Sequence, residues 1–97
     1  MPSVLLASGG VEALRLCEEH PARIDLLLTD ILMPGMTGGE LAREIAARLP
    51  GIRTLFMSAL PNDVLVDQGR IEEGQLSIQK PFSDEELAAG VRSALGR

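Results

Sequence analysis

Residues 24–40 read IDLLLTDILMPGMTGGE, and this stretch decides the fold. The second strand of the chain is expected over Ile24–Thr29. Its apolar run, Ile24 to Leu28, suits a strand buried on both faces, as in a parallel sheet. The run stops at one carboxylate, Asp30, and a Met33-Pro34-Gly35 turn follows. Thr37 and Glu40 then form a T-x-x-E capping box, in which each side chain satisfies a backbone donor of a helix's first turn. Behind it Leu41, Ile45 and Leu49 make one apolar helical stripe. In an open α/β sheet, reactive groups sit where strands end and loops begin, so Asp30 is in the right place to be a working carboxylate.

The same grammar extends outward in both directions. Upstream, Ser3–Ala7 reads as a short strand, Ser8-Gly9-Gly10 as a turn and cap, and Val11, Leu14 and Cys17 as a helix running to about His20 and ended by Pro21. Downstream, Pro50-Gly51 breaks the second helix, and Ile52–Met57 is a third strand followed by Ser58. Pro61 to about Gly69 is a weakly patterned helix. Gln75–Gln79 is a fourth strand ending at Lys80-Pro81. Ser83 and Glu86 form a second capping box, and Leu87, Val91 and Leu95 give an amphipathic helix ended by Gly96. Strand followed by helix, repeated to the end of the chain, predicts a parallel sheet with right-handed crossovers, in one domain over residues 1–97.

Composition narrows the function classes. The chain has 97 residues, of which 45% are hydrophobic, with two Phe and no Trp or Tyr, so the core must be aliphatic. No apolar run approaches the ~20 residues of a membrane span. Met1-Pro2-Ser3 lacks the basic start of a secretion signal. The single cysteine, Cys17, has no internal disulfide partner and reads as a small buried residue, so a cytoplasmic location is expected. A net charge of −5 argues against nucleic-acid binding. No G-x-x-x-x-G-K phosphate loop or metal-ligand cluster is present, and His20 reads as solvated.

Three polar residues each follow an apolar strand: Asp30, Ser58 and Lys80. All strand C-termini of a parallel sheet lie on one edge, so these side chains should converge there. Taken singly, each has a plainer reading. An Asp at a strand end is more often a turn or cap residue, although Asp30 lies too far ahead of Thr37 to serve that helix. Ser58 alone carries no signal, and Lys80 alone reads as a solvated loop lysine. Together, a carboxylate, a hydroxyl and an ammonium suit phosphoryl transfer. The carboxylate can act as nucleophile, and the other two can bind the phosphoryl oxygens.

The segments LLLTDILMPGMTGGEL, TLFMSAL and IQKPF, in this order and spacing, resemble the receiver domain of two-component response regulators and hybrid histidine kinases. The resemblance covers essentially the whole chain. It implies a flavodoxin-like α/β fold that acts as a signalling module and not as an enzyme. It implies that Asp30 is the phosphoacceptor, served by a histidine kinase or phosphotransfer protein. Ser58 matches the switch hydroxyl and Lys80 the lysine that pairs with the phosphoryl group. The Lys80-Pro81 bond is expected to be cis, and Leu32 matches the position whose main-chain carbonyl helps bind Mg²⁺.

The chain also departs from that family. Receivers open with a strand ending in two acidic residues that hold Mg²⁺ together with the phosphoacceptor, whereas this sequence starts at what resembles the family's second strand. Asp25 reads as mid-strand and Glu12 as about a turn into the first helix, so neither replaces the pair. Weak or absent Mg²⁺ binding and slow or absent phosphorylation are therefore expected. Ser77 stands where the family usually has an aromatic residue. The family's absent strand is central, so the expected sheet is reduced to about four strands and four helices. Either Ser3–Ala7 moves beside Ile24–Thr29, or two copies exchange strands, or the first strand lies upstream. In the first case three helices share one face, and only the helix over 83–96 covers the other. The partly bare face would then suit a homodimer or a partner. The alternative function is a non-phosphorylated receiver-like interaction module.

Overall fold

The computed structural model describes residues 3–20, 24–33 and 35–96; Pro21 and Pro34, expected at a helix end and a turn, lie outside them. In chain order the elements are β1 (Val4–Ala7), α1 (Gly10–Glu19), β2 (Leu26–Asp30), β3 (Leu32–Met33), β4 (Met36–Thr37), α2 (Gly38–Arg48), β5 (Arg53–Ser58), α3 (Asn62–Asp67), β6 (Leu76–Gln79) and α4 (Asp84–Ala94). The main sheet has the order β1-β2-β5-β6, with every pairing parallel. The expected strand-and-helix alternation is therefore present, and the gap is closed within the chain. β1 lies directly beside β2, in the register Val4↔Leu26 to Ala7↔Thr29.

The sheet divides the core in two. On one face Ala7, Leu27 and Phe56 pack under Ala13 and Cys17 of α1, Leu41 and Ile45 of α2 and Leu65 of α3. On the other face Leu26, Leu28, Leu55 and Met57 pack under Leu87, Val91 and Ala94 of α4. Leu26 and Leu27 are both 0% exposed, which is why Leu26 to Leu28 show no polar alternation. Among the described residues, α4 alone covers the second face. At the β1 edge of that face Val4 and Leu6 remain 43% and 62% exposed.

Both capping boxes form. Thr37 Oγ1 accepts from Glu40 N–H while Glu40 Oε1 accepts from Thr37 N–H, and Ser83 and Glu86 exchange the same pair of bonds. Two local expectations need correction. Asp25 is not mid-strand: it precedes β2 at the N-terminal edge of the sheet, where its Oδ2 accepts from Ser3 N–H at 2.8 Å. Glu12 lies in the first turn of α1, whose cap is Gly9, within the expected Ser8-Gly9-Gly10 turn and without a side-chain bond. The segment after Asp30 also makes a second small sheet, β3 antiparallel to β4, with Leu32 opposite Thr37 and Met33 opposite Met36. Gly35 turns this hairpin with φ of 83°, a conformation that costs glycine nothing.

Candidate functional site

The C-terminal edge of the sheet gathers the three predicted residues. Asp30 is the last residue of β2, Ser58 the last of β5, and Lys80 follows β6 directly. They line one open cleft of about 430 Å³ together with Leu32, Leu60 and Arg70. A larger recess of about 560 Å³ lies around the N-terminal ends of β5 and β6, lined by Arg53, Gln75 and Leu76. It contains none of the predicted residues, so the chemistry and not the size identifies the cleft of interest.

Asp30 is set from below. The buried Thr29 hydroxyl donates to the Asp30 carbonyl at 3.0 Å and lies 3.4 Å from Met33 Sδ. Gly38, the first residue of α2, donates its N–H to the Ile31 carbonyl at 2.6 Å. A Cβ on Gly38 would lie 2.2 Å from the Asp30 carbonyl oxygen, so only glycine lets the start of α2 sit this close to the strand end. The Asp30 side chain stays half-exposed, and the Lys80 ammonium donates directly to Asp30 Oδ1 in an ion pair. Such a pair between exposed groups adds about 0–1 kcal/mol to stability. Its significance is positional: a cation is held on the carboxylate that the cleft presents.

Lys80 is placed by backbone bonding. Its N–H donates to the Ser58 carbonyl at 2.7 Å, which ties the end of β6 to the end of β5. The Lys80-Pro81 peptide bond is cis. Ser58 Oγ accepts from Leu60 N–H at 3.0 Å, leaving the hydroxyl proton to be donated. Ser77 faces the α3 side beside Phe56, where its Oγ accepts from Asn62 Nδ2 at 3.0 Å; a polar tether stands in place of an aromatic packing group.

Asp30 and the Leu32 carbonyl are the groups expected to meet Mg²⁺. The described residues contain no cluster of three or more His, Cys, Asp or Glu side chains able to hold a metal. One carboxylate already engaged by an ammonium is a poor donor set for a hard divalent cation, so these residues alone do not compose a Mg²⁺ site. Arg70 was not singled out from sequence. It reaches the cleft from the loop after α3, and no periodicity or motif announces it.

Cys17 is 1% exposed between α1 and the sheet. Burial raises its thiol pKa above the ordinary 9.0, against the lowering influence of Arg48. It belongs to the core and not to the cleft.

The family model for the response regulator receiver domain matches residues 1–92. The chain is 34% identical over 89 residues to the sensor kinase CckA of Brucella abortus, covering 92% of this chain and 9% of that protein. Among solved structures, the receiver domain of the hybrid histidine kinase CckA superposes with a TM-score of 0.71 at 31% identity, covering 92% of this chain and 72% of that one. The receiver domain of the sensor histidine kinase PA1611 from Pseudomonas aeruginosa gives 0.74 at 27% identity, with 98% and 78% covered; that structure has magnesium coordinated in its active-site cleft.

Proposed function

The chain belongs to the response regulator receiver domains of two-component signalling, and on that premise we propose that it is a phosphorelay module that accepts a phosphoryl group at Asp30. The donor is a phosphohistidine of a histidine kinase or phosphotransfer protein. The observation that carries this reading is the direct ion pair of Lys80 with Asp30, in a cleft that also holds Ser58.

In the transfer a carboxylate oxygen of Asp30 attacks phosphorus. The bond from phosphorus to the donor's imidazole nitrogen breaks, and its electron pair leaves on that nitrogen, which takes up a proton. The product is an acyl phosphate on Asp30. Lys80 passes from the carboxylate to the phosphoryl oxygens, and the Ser58 hydroxyl donates its proton to one of them. Because the described residues supply one carboxylate to a metal, transfer to the 97-residue chain is slow and depends little on Mg²⁺. No helix among the described residues is long and apolar enough to cross a membrane. In the proposed role the exchange of phosphoryl groups takes place in the cytoplasm.

The test is mass spectrometry after incubation with a small phosphodonor such as acetyl phosphate. The reading expects one added phosphoryl group, located on Asp30 and absent from Asp30→Asn. An unmodified chain after prolonged incubation sinks it. One observation favours a second role: Val4 and Leu6 stand exposed at the edge of the face that α4 covers. In that role the chain is a non-phosphorylated interaction module that pairs with a second copy along this strip. Light scattering on the eluting protein distinguishes the two, since a strict monomer at high concentration removes the second role.

A further inference from the structure

Arg70 is held at the mouth of the cleft by bonds that do not involve its charge. Its N–H donates to the Leu65 carbonyl at 2.9 Å, closing the turn after α3. The next residue, Ile71, is buried in the core beneath the helices at 4% exposure. On the other side the Arg70 carbonyl lies against Gly39 of α2, where an added Cβ would come within 3.0 Å of it. The backbone is thus pinned between α2 and α3, and Arg70 lines the same cleft as Asp30, Ser58 and Lys80.

The guanidinium is oriented but not neutralised. Arg70 Nε donates to the Gln68 amide oxygen at 2.8 Å, a neutral partner. Arg15 and Arg48 each pair with glutamates, whereas no ion pair among the described residues includes Arg70. The lining of the cleft therefore carries two cations, Lys80 and Arg70, and one carboxylate, Asp30. This local excess of positive charge stands out in a chain of net charge −5. Phosphorylation converts the single charge of Asp30 into about −2, which is the charge that two cations balance.

We propose that Arg70 binds the phosphoryl group at Asp30, so that the cleft takes a tetrahedral oxyanion through Arg70 and Lys80 without a divalent metal. The substrate side of this inference rests on Asp30 being the phosphoacceptor; the anion-binding side does not. The guanidinium fork suits two oxygens of one phosphate, while Lys80 acts as a point charge.

The experiment titrates inorganic phosphate into the full chain in EDTA, followed by amide chemical shifts. Wild type shows saturable shifts at residues around Asp30 and Arg70, weakening with added salt. Arg70→Gln lowers the affinity about tenfold, the loss expected for a charge-assisted hydrogen bond. Arg15→Gln removes the same charge from α1 and changes the affinity less than twofold. Asp30→Asn retains or tightens phosphate binding, because it removes the competing carboxylate. Equal losses in Arg70→Gln and Arg15→Gln, or no saturable binding to wild type, overturn the proposal. The two readings fail separately. Phosphate binding that needs Arg70 in a chain that never forms an acyl phosphate refutes the phosphoacceptor and keeps the oxyanion site. Acyl phosphate forming equally fast in wild type and Arg70→Gln, with equal phosphate affinity, refutes the role of Arg70 alone.

Discussion

Gly38→Ala should damage the fold at the point where it supports Asp30. The new Cβ would lie 2.2 Å from the Asp30 carbonyl oxygen, 3.2 Å from its carbon and 3.3 Å from Ile31 Cα. Ordinary contact begins near 3.4 Å, so the oxygen is about 1.2 Å too close, and all three atoms are backbone. Relief requires α2 to lift from β2, which stretches the 2.6 Å bond from Gly38 N–H to the Ile31 carbonyl. Overpacking of this kind costs about 1–3 kcal/mol, and a weakened hydrogen bond adds about 1 kcal/mol. The better helix propensity of alanine returns up to about 1 kcal/mol. The expected net loss is about 2 kcal/mol, roughly 10 °C in Tm for a domain of this size.

Gly90→Ala is the matched comparison, since it removes the same freedom from the unfolded chain. Its Cβ would meet Ile78 Cγ2, the β-branch methyl, at 2.8 Å and the Leu55 Cδ2 tip at 3.2 Å; both are side-chain atoms, which yield more readily than the backbone met at Gly38. The propensity gain then offsets most of the strain, and the net change stays within about 1 kcal/mol of zero. Urea unfolding of the two variants and wild type supplies the numbers. If Gly38→Ala unfolds within about 0.5 kcal/mol of wild type, or Gly90→Ala is equally damaging, the account of how α2 seats against the strand end is wrong.

Leu27→Ala, in the fully buried centre of the sheet, should cost about 2–5 kcal/mol, whereas Leu6→Lys at the bare edge should cost less than about 1 kcal/mol in the same unfolding assay. Lys80→Gln should leave stability within about 1 kcal/mol of wild type in that assay, because the pair is half-exposed, yet weaken phosphate binding measured by titration. Cys17 should react with a thiol reagent only as fast as the chain opens, so its rate should rise with urea rather than with thiolate fraction. Its raised pKa carries a definite sign: stability from the buried neutral thiol is complete below the ordinary 9.0 and declines as pH rises through the raised value, an effect Cys17→Ala should abolish in unfolding measured against pH.

The parts of the molecule that sequence made legible are those governed by local rules. Thr37 with Glu40 and Ser83 with Glu86 announce helix starts because capping spans one turn. The consecutive leucines Leu26, Leu27 and Leu28 announce burial on both faces. The sequential sheet order and the division of helices, three against one, follow from parallel connections between adjacent strands. The convergence of Asp30, Ser58 and Lys80 at one edge follows from the same geometry. What was not legible depends on tertiary placement or on elements too short to show a period. The β3–β4 hairpin has two residues on each side. Asp25 sits at the opposite edge because its carboxylate accepts from Ser3 N–H, a partner 22 residues away that no local pattern encodes. Arg70 belongs to the cleft because Leu65 and Gly39 hold its backbone there, and no spacing in the chain encodes that approach.

The most direct test of the account is the time course of acyl-phosphate formation on Asp30, followed by intact mass with acetyl phosphate in Mg²⁺ and in EDTA. The account predicts slow accumulation of a single phosphoryl group, at rates within about threefold of each other in the two conditions, and none in Asp30→Asn, because chain cations rather than a metal balance the phosphoryl charge. Rapid, stoichiometric modification that requires Mg²⁺, or no modification of Asp30 in either condition, would contradict it.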